Sequence, residues 1–152
     1  MFWDASALIP LFLEESSSQT MREIACRDDV FVVWWGTILE CRSALSRSER
    51  EGNLTERAMD LALESIKSLS QAWSEVLPSE RVRTIAARLL MTHPLKTAHA
   101  LQLAAAIVWA DSNQETSSFV CLDARLGTAA RKEGFALLPA TLEALGEYSG
   151  LQ

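Results

Sequence analysis

The sequence contains little cysteine, no long apolar run and no excess of basic residues, and each absence excludes a class of protein. Its three cysteines, Cys26, Cys41 and Cys121, are odd in number and show no paired spacing. That pattern argues against a disulfide framework and against a thiolate metal site. We therefore predict that all three are reduced, buried thiols of a cytosolic protein.

The longest stretch without a charged residue, Thr97 to Ala110, is too short to cross a bilayer, which takes about 20 residues. Asp4 follows the first apolar residues and no basic stretch precedes them, which argues against a secretory signal. We expect a cytoplasmic protein with no membrane segment. A formal net charge of −6 also argues against indiscriminate binding to nucleic acid, because phosphate contacts rest on an excess of lysine and arginine.

What the sequence does contain is typical of a folded globular protein. Its 152 residues are 49% hydrophobic and 22% charged, with no internal repeat and no linker. A chain of this length buries roughly 70% of the surface that it exposes when unfolded. We therefore predict a single domain over residues 1–152.

Apolar runs and helical spacing predict alternating strands and helices, and hence a central, mostly parallel sheet. The predicted strands are Met1 to Trp3, Val30 to Trp34, Ser74 to Leu77, Ser118 to Leu122 and Phe135 to Leu138. The predicted helices are Ser6 to about Arg27 with a break as an alternative at Ser16 to Ser18, Thr37 to Glu51, Ala58 to Trp73, Val82 to Leu89, Thr97 to Ala110, Ala124 to Glu133 and Thr141 to Tyr148. The second strand is nearly continuous in apolar residues, which places it in the sheet centre.

Three acids stand where predicted strands pass into helices: Asp4, Glu40 and Asp123. Open α/β folds place ligands at this edge of the sheet. Carboxylates brought together there repel one another by up to ~4 kcal/mol per close pair at an effective dielectric near 20. A divalent cation relieves that repulsion, and Mg²⁺ or Mn²⁺ can activate a water against a phosphodiester. The reaction class that follows is metal-dependent phosphodiester hydrolysis.

Simpler readings of the same acids remain open. Thr37 and Glu40 have the spacing of a capping box, and Asp4 and Asp123 each stand where a helix N-cap is expected. A lone histidine on an alanine-rich helix, such as His99, is typical of a core residue. His93 precedes Pro94 and is interpreted as a loop residue without a role.

Several segments resemble, in order and spacing, the PIN-domain ribonucleases and especially the VapC-type toxins of bacterial toxin–antitoxin pairs. The matching segments are residues 2–8, residues 37–40 with 43–45, residues 100–104, and residues 123–126 with 129–130 and 133–134. The resemblance spans almost the whole chain. It implies a PIN-like three-layer α/β/α sandwich.

The resemblance implies metal binding by Asp4, Glu40 and Asp123, with the Ser6 hydroxyl supporting the first acid. The family's fourth acid falls on His99, where members commonly carry aspartate. Imidazole removes one negative charge and suits manganese, zinc or nickel better than magnesium. Alternatively, an imidazolium among the acids replaces the cation and leaves the protein folded but inactive. His99 is either natural or an introduced substitution.

The resemblance further implies a metal-dependent endoribonuclease with Mg²⁺ or Mn²⁺ as cofactor, an RNA substrate, a small antitoxin protein as partner and a homodimer. One alternative is a catalytically impaired PIN-like protein that retains antitoxin binding. Another is a phosphotransferase of the haloacid-dehalogenase type, which also begins with a strand-end aspartate. That type expects a second aspartate two residues on, where this chain has Ser6.

Basic and aromatic side chains allow two readings each. Five basic residues follow or flank the site segments and are candidates for RNA-backbone contacts, the alternative being a solvated helix face. They are Arg42, Arg47, Arg50, Lys96 and Arg125. The five tryptophans are expected to be mostly core, although an exposed one would suit a dimer or antitoxin surface.

Overall fold

The computed structural model describes residues 1–112 and 117–140, and these residues form five strands and seven helices. The strands are β1 (Phe2–Trp3), β2 (Val32–Trp34), β3 (Ser74–Val76), β4 (Ser118–Val120) and β5 (Ala136–Leu138). The helices are α1 (Ala5–Phe12), α2 (Ser18–Ala25), α3 (Thr37–Arg50), α4 (Glu56–Ser70), α5 (Glu80–Thr92), α6 (Thr97–Ala110) and α7 (Ala124–Lys132).

The strands form one sheet in the order β3-β2-β1-β4-β5, and every pair in it is parallel. The predicted α/β architecture is confirmed, and the described sheet is wholly parallel. The central position belongs to β1, so the prediction that the second strand would lie there is wrong by one place. The chain adds β2 and β3 on one side of β1 and then crosses to add β4 and β5 on the other.

Helices cover both faces of the sheet. Successive side chains of a strand point to opposite faces, so each inner strand contributes apolar residues to both helix layers. On one face Phe2 and Phe119 pack with α5, α6 and α7. On the other face Trp3 and Val33 pack with α1, α2, α3 and α4. The α/β/α sandwich is therefore built on the inner strands β1, β2 and β4, which bury apolar side chains on both faces, as is typical of parallel sheets.

The first predicted helix is wrong as a single helix, and its alternative, a break, is right. Helix α1 ends at Phe12 and α2 begins at Ser18, so the break is longer than the predicted serines. The fully buried Ser18 hydroxyl donates to the carbonyl oxygens of Pro10 and Leu13, at 2.7 and 3.0 Å, and accepts from the Glu15 amide. These bonds satisfy the backbone of the turn and hold the chain out of the helix.

The other described elements lie within a few residues of their predicted bounds. Gly52 and Gly134 follow α3 and α7 with φ of 74° and 96°, the left-handed conformation in which helices commonly end. Cys26 is exposed while Cys41 and Cys121 are buried, so the prediction of three buried thiols is wrong for Cys26. The predicted helix at 141–148 lies outside the described residues. Among the described helices, none has the length and apolar character that a bilayer crossing needs.

Candidate active site

The reversal of strand order falls between β1 and β4, and two of the predicted acids lie there. Asp4 follows β1 directly and is the N-cap of α1, and Asp123 is the N-cap of α7 just beyond β4. In open parallel sheets such a reversal opens a crevice at the carboxyl edge, where ligands bind. The expectation that both aspartates cap helices is thus confirmed, and capping also fixes their position at the crevice.

Asp4 is held by a network that joins β1 to β4. Its amide donates to the Val120 carbonyl at 3.0 Å, and its Oδ2 accepts hydrogen bonds from the Ser6 amide and the Ser6 hydroxyl. The Ser6 oxygen in turn accepts from the Leu122 amide at 3.0 Å. Cys121 Sγ lies 3.8 Å from the same carboxylate oxygen. Ser6 therefore links Asp4 to the segment that follows β4.

The environment of Asp4 disfavours its charge. The residue is 3% exposed, and burial raises the pKa of its carboxyl above the ordinary value. Hydrogen bonds from Ser6 oppose that shift, and the nearby His99 opposes it further. Because the desolvation of Asp4 outweighs these opposing interactions, a nearby cation would stabilise its charged form.

Glu40 lies on α3 and is oriented by a neighbour on α6. The N-cap of α3 is Gly36, so the predicted capping box between Thr37 and Glu40 is wrong. Instead, the buried Gln102 amide donates from Nε2 to Glu40 Oε1 at 3.2 Å and to Thr37 Oγ1 at 3.1 Å. Burial, followed by the charge of Asp4, raises the pKa of Glu40 to about 7.

His99 lies on α6 beside the acids. Its Nδ1 is 3.9 Å from Asp123 Oδ1, and 24% of the side chain is exposed. It is therefore not a core histidine, which was the simpler reading of the sequence. Asp123 Oδ1 accepts from the Leu126 amide at 2.8 Å, an N-cap bond that fixes the carboxylate next to the imidazole.

All five predicted site residues line one cleft of about 400 Å³. The lining residues are Asp4, Ala5, Ser6, Ile9, Glu40, Ser43, Ala44, Arg47, Ala98, His99 and Asp123. Of the basic residues that follow Glu40 in the sequence, Arg47 thus reaches the cleft. We refer to this cleft as the acidic cleft. His93 does not belong to this group, since its ring contacts Glu133.

The donor atoms of the acidic cleft suit a hard divalent cation in kind. Carboxylate oxygens are the ligands that Mg²⁺ and Mn²⁺ prefer, and burial, followed by the charge of Asp4, raises the pKa of Glu40, so a cation would stabilise its charged form. Within residues 1–112 and 117–140, no three His, Cys, Asp or Glu side chains stand close enough together to hold an ion as they are. The fit is therefore one of chemistry and position, and binding requires the side chains to draw together.

Gln102 was not recognised as a site residue from the sequence. The signal was available, because Gln102 follows His99 by one helical turn and so lies on the same face of α6. It is a polar residue in a helix otherwise buried through leucine and alanine, and such a residue needs a partner.

Comparison with known proteins finds similarity of fold. No protein-family model and no curated protein matches the sequence. A match among solved structures is the Mycobacterium tuberculosis toxin VapC20, which cleaves the sarcin–ricin loop, with a TM-score of 0.63 and 17% identity. The match covers 89% of this chain and 95% of VapC20. The likeness establishes the fold. It accords with the predicted PIN-like sandwich.

Proposed function

We propose that this chain is a PIN-domain, metal-dependent endoribonuclease of the VapC type, the toxin of a type II toxin–antitoxin pair. The observation that carries the proposal is the meeting of Asp4, Glu40 and Asp123 in one cleft, where the strand order of the sheet reverses. The resemblance in motif order and the fold shared with a toxin that cleaves the sarcin–ricin loop support RNA as the substrate.

In this proposal Asp4, Glu40 and Asp123 would hold the ion, and Ser6 keeps Asp4 oriented. When bound, Mg²⁺ or Mn²⁺ would neutralise the carboxylates and lower the pKa of a water near the scissile phosphate. The bond from the water oxygen to phosphorus forms as one P–O ester bond breaks, and the leaving oxygen takes a proton. The products are one phosphate monoester and one hydroxyl. Gln102 holds Glu40 in place through this step.

A second candidate function is that of a catalytically impaired PIN-like protein that retains partner binding. The position of His99 favours it. An imidazole 3.9 Å from Asp123 and electrostatically coupled to Asp4 supplies positive charge when protonated, where a fourth carboxylate would supply negative charge. Magnesium affinity falls with each lost carboxylate, so this chain would bind the ion weakly.

One experiment separates the two functions. Mn²⁺ and Mg²⁺ are titrated by calorimetry into this chain and into His99→Asp, and RNA cleavage is assayed on the same samples. Metal binding and cleavage by this chain support the active nuclease. Activity in His99→Asp alone supports the impaired protein. Absence of metal binding in both chains contradicts the metal-dependent site, and Asp4→Asn in each background controls for a contaminating nuclease.

The partners belong to the same proposal. A small antitoxin protein would cover the acidic cleft, and the toxin would form a homodimer in the cytoplasm. An open reading frame for a small protein directly upstream, which co-purifies with this chain when both are expressed, would support the pair. The oligomeric state is measured by sedimentation, and a strictly monomeric chain at high concentration contradicts the dimer.

A further inference from the structure

A second pocket adjoins the acidic cleft and shares two residues with it. It has a volume of about 410 Å³ and is lined by Pro94, Lys96, His99, Asp123, Ala124 and Arg125. His99 and Asp123 line both pockets, so the two are continuous along the carboxyl edge of the sheet. We call the second one the basic pocket, after Lys96 and Arg125.

The two cations of the basic pocket are left without an acidic partner. Both side chains are exposed, and among the described residues neither forms an ion pair within 4 Å. Four arginines elsewhere pair with carboxylates: Arg22 with Glu14, Arg81 with Asp111, Arg83 with Glu80 and Arg88 with Glu133. Other described cations, such as Arg42 and Arg57, also lack an ion pair, but they line neither pocket. What distinguishes Lys96 and Arg125 is their position, since both line one pocket next to the acids, and two cations in one pocket favour an anion there.

The backbone adds to this positive charge. Lys96 is the N-cap residue of α6, where no side chain caps the helix and the first turn carries no acid. The partial positive charge of the helix end is thus not neutralised by a side chain of α6. Asp123, by contrast, caps α7 and contributes its negative charge to the acidic cleft.

We propose that the basic pocket binds a backbone phosphate of an RNA strand, next to the phosphate that lies over the carboxylates. This inference rests on the proposed function and names how its substrate is held. A strand with one phosphate at the acids carries the next phosphate only one nucleotide away. There the acids would repel it unless cations stood beside them. Lys96 and Arg125 are positioning residues that set the register of the strand.

Phosphate contacts carry no sequence information, so this pocket governs affinity and not the choice of sequence. Removal of either cation weakens binding to all single strands alike. Each lost phosphate contact lowers the steepness with which affinity falls with salt by about 0.7 for a single strand. At ~0.1 M salt one such contact corresponds to an affinity change of roughly fivefold.

The test measures binding and not cleavage. The probe is a fluorescein-labelled 2′-O-methyl RNA of about ten nucleotides, followed by anisotropy. Salt is varied over roughly 50 to 300 mM at fixed Mn²⁺. The integrity of the RNA probe is checked on a gel after each titration. The variants Lys96→Ala and Arg125→Ala are compared with Lys67→Ala and Arg57→Ala, which remove like charges from exposed positions on α4.

Because the pocket holds one phosphate, we expect the double variant to lower the salt slope by about 0.7 and each single variant to lower it by part of that amount, with the α4 variants unchanged. Equal slopes in all variants overturn the proposal, as does an equal loss in pocket and α4 variants or no binding by the parent chain. Slope changes without cleavage in the calorimetry samples leave this pocket standing and count against the nuclease. Cleavage with unchanged slopes counts against this pocket alone.

Discussion

Ionisation of Glu40 destabilises the folded state, so the stability of the protein depends on pH through this residue. In the folded chain its carboxyl has a pKa of about 7, because it is buried and lies near Asp4, against an ordinary value of 4.5. The folded state therefore keeps the proton longer than the unfolded state, and stability falls as pH rises from about 4.5 to 7. We expect Glu40→Gln to raise the free energy of unfolding by about 1–2 kcal/mol near pH 8, after allowance for solvent screening.

The same substitution is expected to change little well below pH 4.5, since the carboxyl is then protonated in both states. Urea unfolding in the presence of a chelator measures both values. Glu49→Gln, at an exposed position on the same helix, is the control for loss of a helix carboxylate. A gain of equal size at both pH values would contradict the role assigned to burial and to Asp4.

Gln102 has a separate structural effect through Thr37. Both side chains are fully buried and hydrogen-bonded to each other, so removal of one amide leaves a buried hydroxyl without its partner. We expect Gln102→Leu to lower the free energy of unfolding by about 1–3 kcal/mol. In a double-mutant cycle, Thr37→Val should cost less in the Gln102→Leu background than alone. Additive costs would mean that the two side chains are not coupled.

At the scale of elements, the first turn of α7 separates the structural and chemical contributions of Asp123. Its Oδ1 caps the helix by accepting from the Leu126 amide. Asparagine keeps an oxygen for that bond but loses the charge, whereas alanine loses both. We expect Asp123→Asn to abolish metal binding with stability within about 0.5 kcal/mol, and Asp123→Ala to lose about 1 kcal/mol as well. Calorimetry and urea unfolding on both variants measure this, and equal stability losses would refute the cap.

Prediction of elements from the sequence succeeded where the deciding interactions are local. Gly52 and Gly134 mark the ends of α3 and α7 because their φ angles are positive, and that preference is written in the residue type. Ser18 could not be read in this way, since its hydroxyl bonds to Pro10 and Leu13 form only after the turn has folded. Thr37 likewise matches a capping box, yet its partner is Gln102 on a distant helix. A contact across the folded turn decides the position of Ser18, and a contact with a distant helix decides that of Thr37.

At the scale of the whole molecule, alternating strands and helices indicate a parallel sheet without fixing the strand order. The crossing from β3 to β4 puts β1 in the centre, and the apolar run of β2 carries no information about it. That crossing also creates the crevice between β1 and β4. The nearness of Asp4 to Asp123 is thus a property of the chain path, which the positions of both aspartates at strand ends and the motif resemblance had indicated.

An ion cluster outside the acidic cleft joins two helices on one face of the sheet. Glu133, the C-cap of α7, accepts hydrogen bonds from both terminal guanidinium nitrogens of Arg88 on α5. Its Oε1 also lies 2.7 Å from His93 Nε2. The bond from Arg88 is the main cause that lowers the pKa of Glu133, and the group is 16% exposed. Its stabilisation is therefore present above about pH 4.5 and lost as pH falls further.

We expect Glu133→Gln to lower the free energy of unfolding by about 1–2 kcal/mol near neutral pH, because the charge-assisted bonds between the helices weaken. Below the carboxyl's folded pKa the difference from the parent chain should vanish. Glu14→Gln breaks a similar bidentate pair with Arg22, but at a carboxylate that is 76% exposed, and should cost less than Glu133→Gln because solvent screens the pair. Urea unfolding across this pH range decides, and equal losses in both variants would mean that burial adds nothing to the Glu133 cluster.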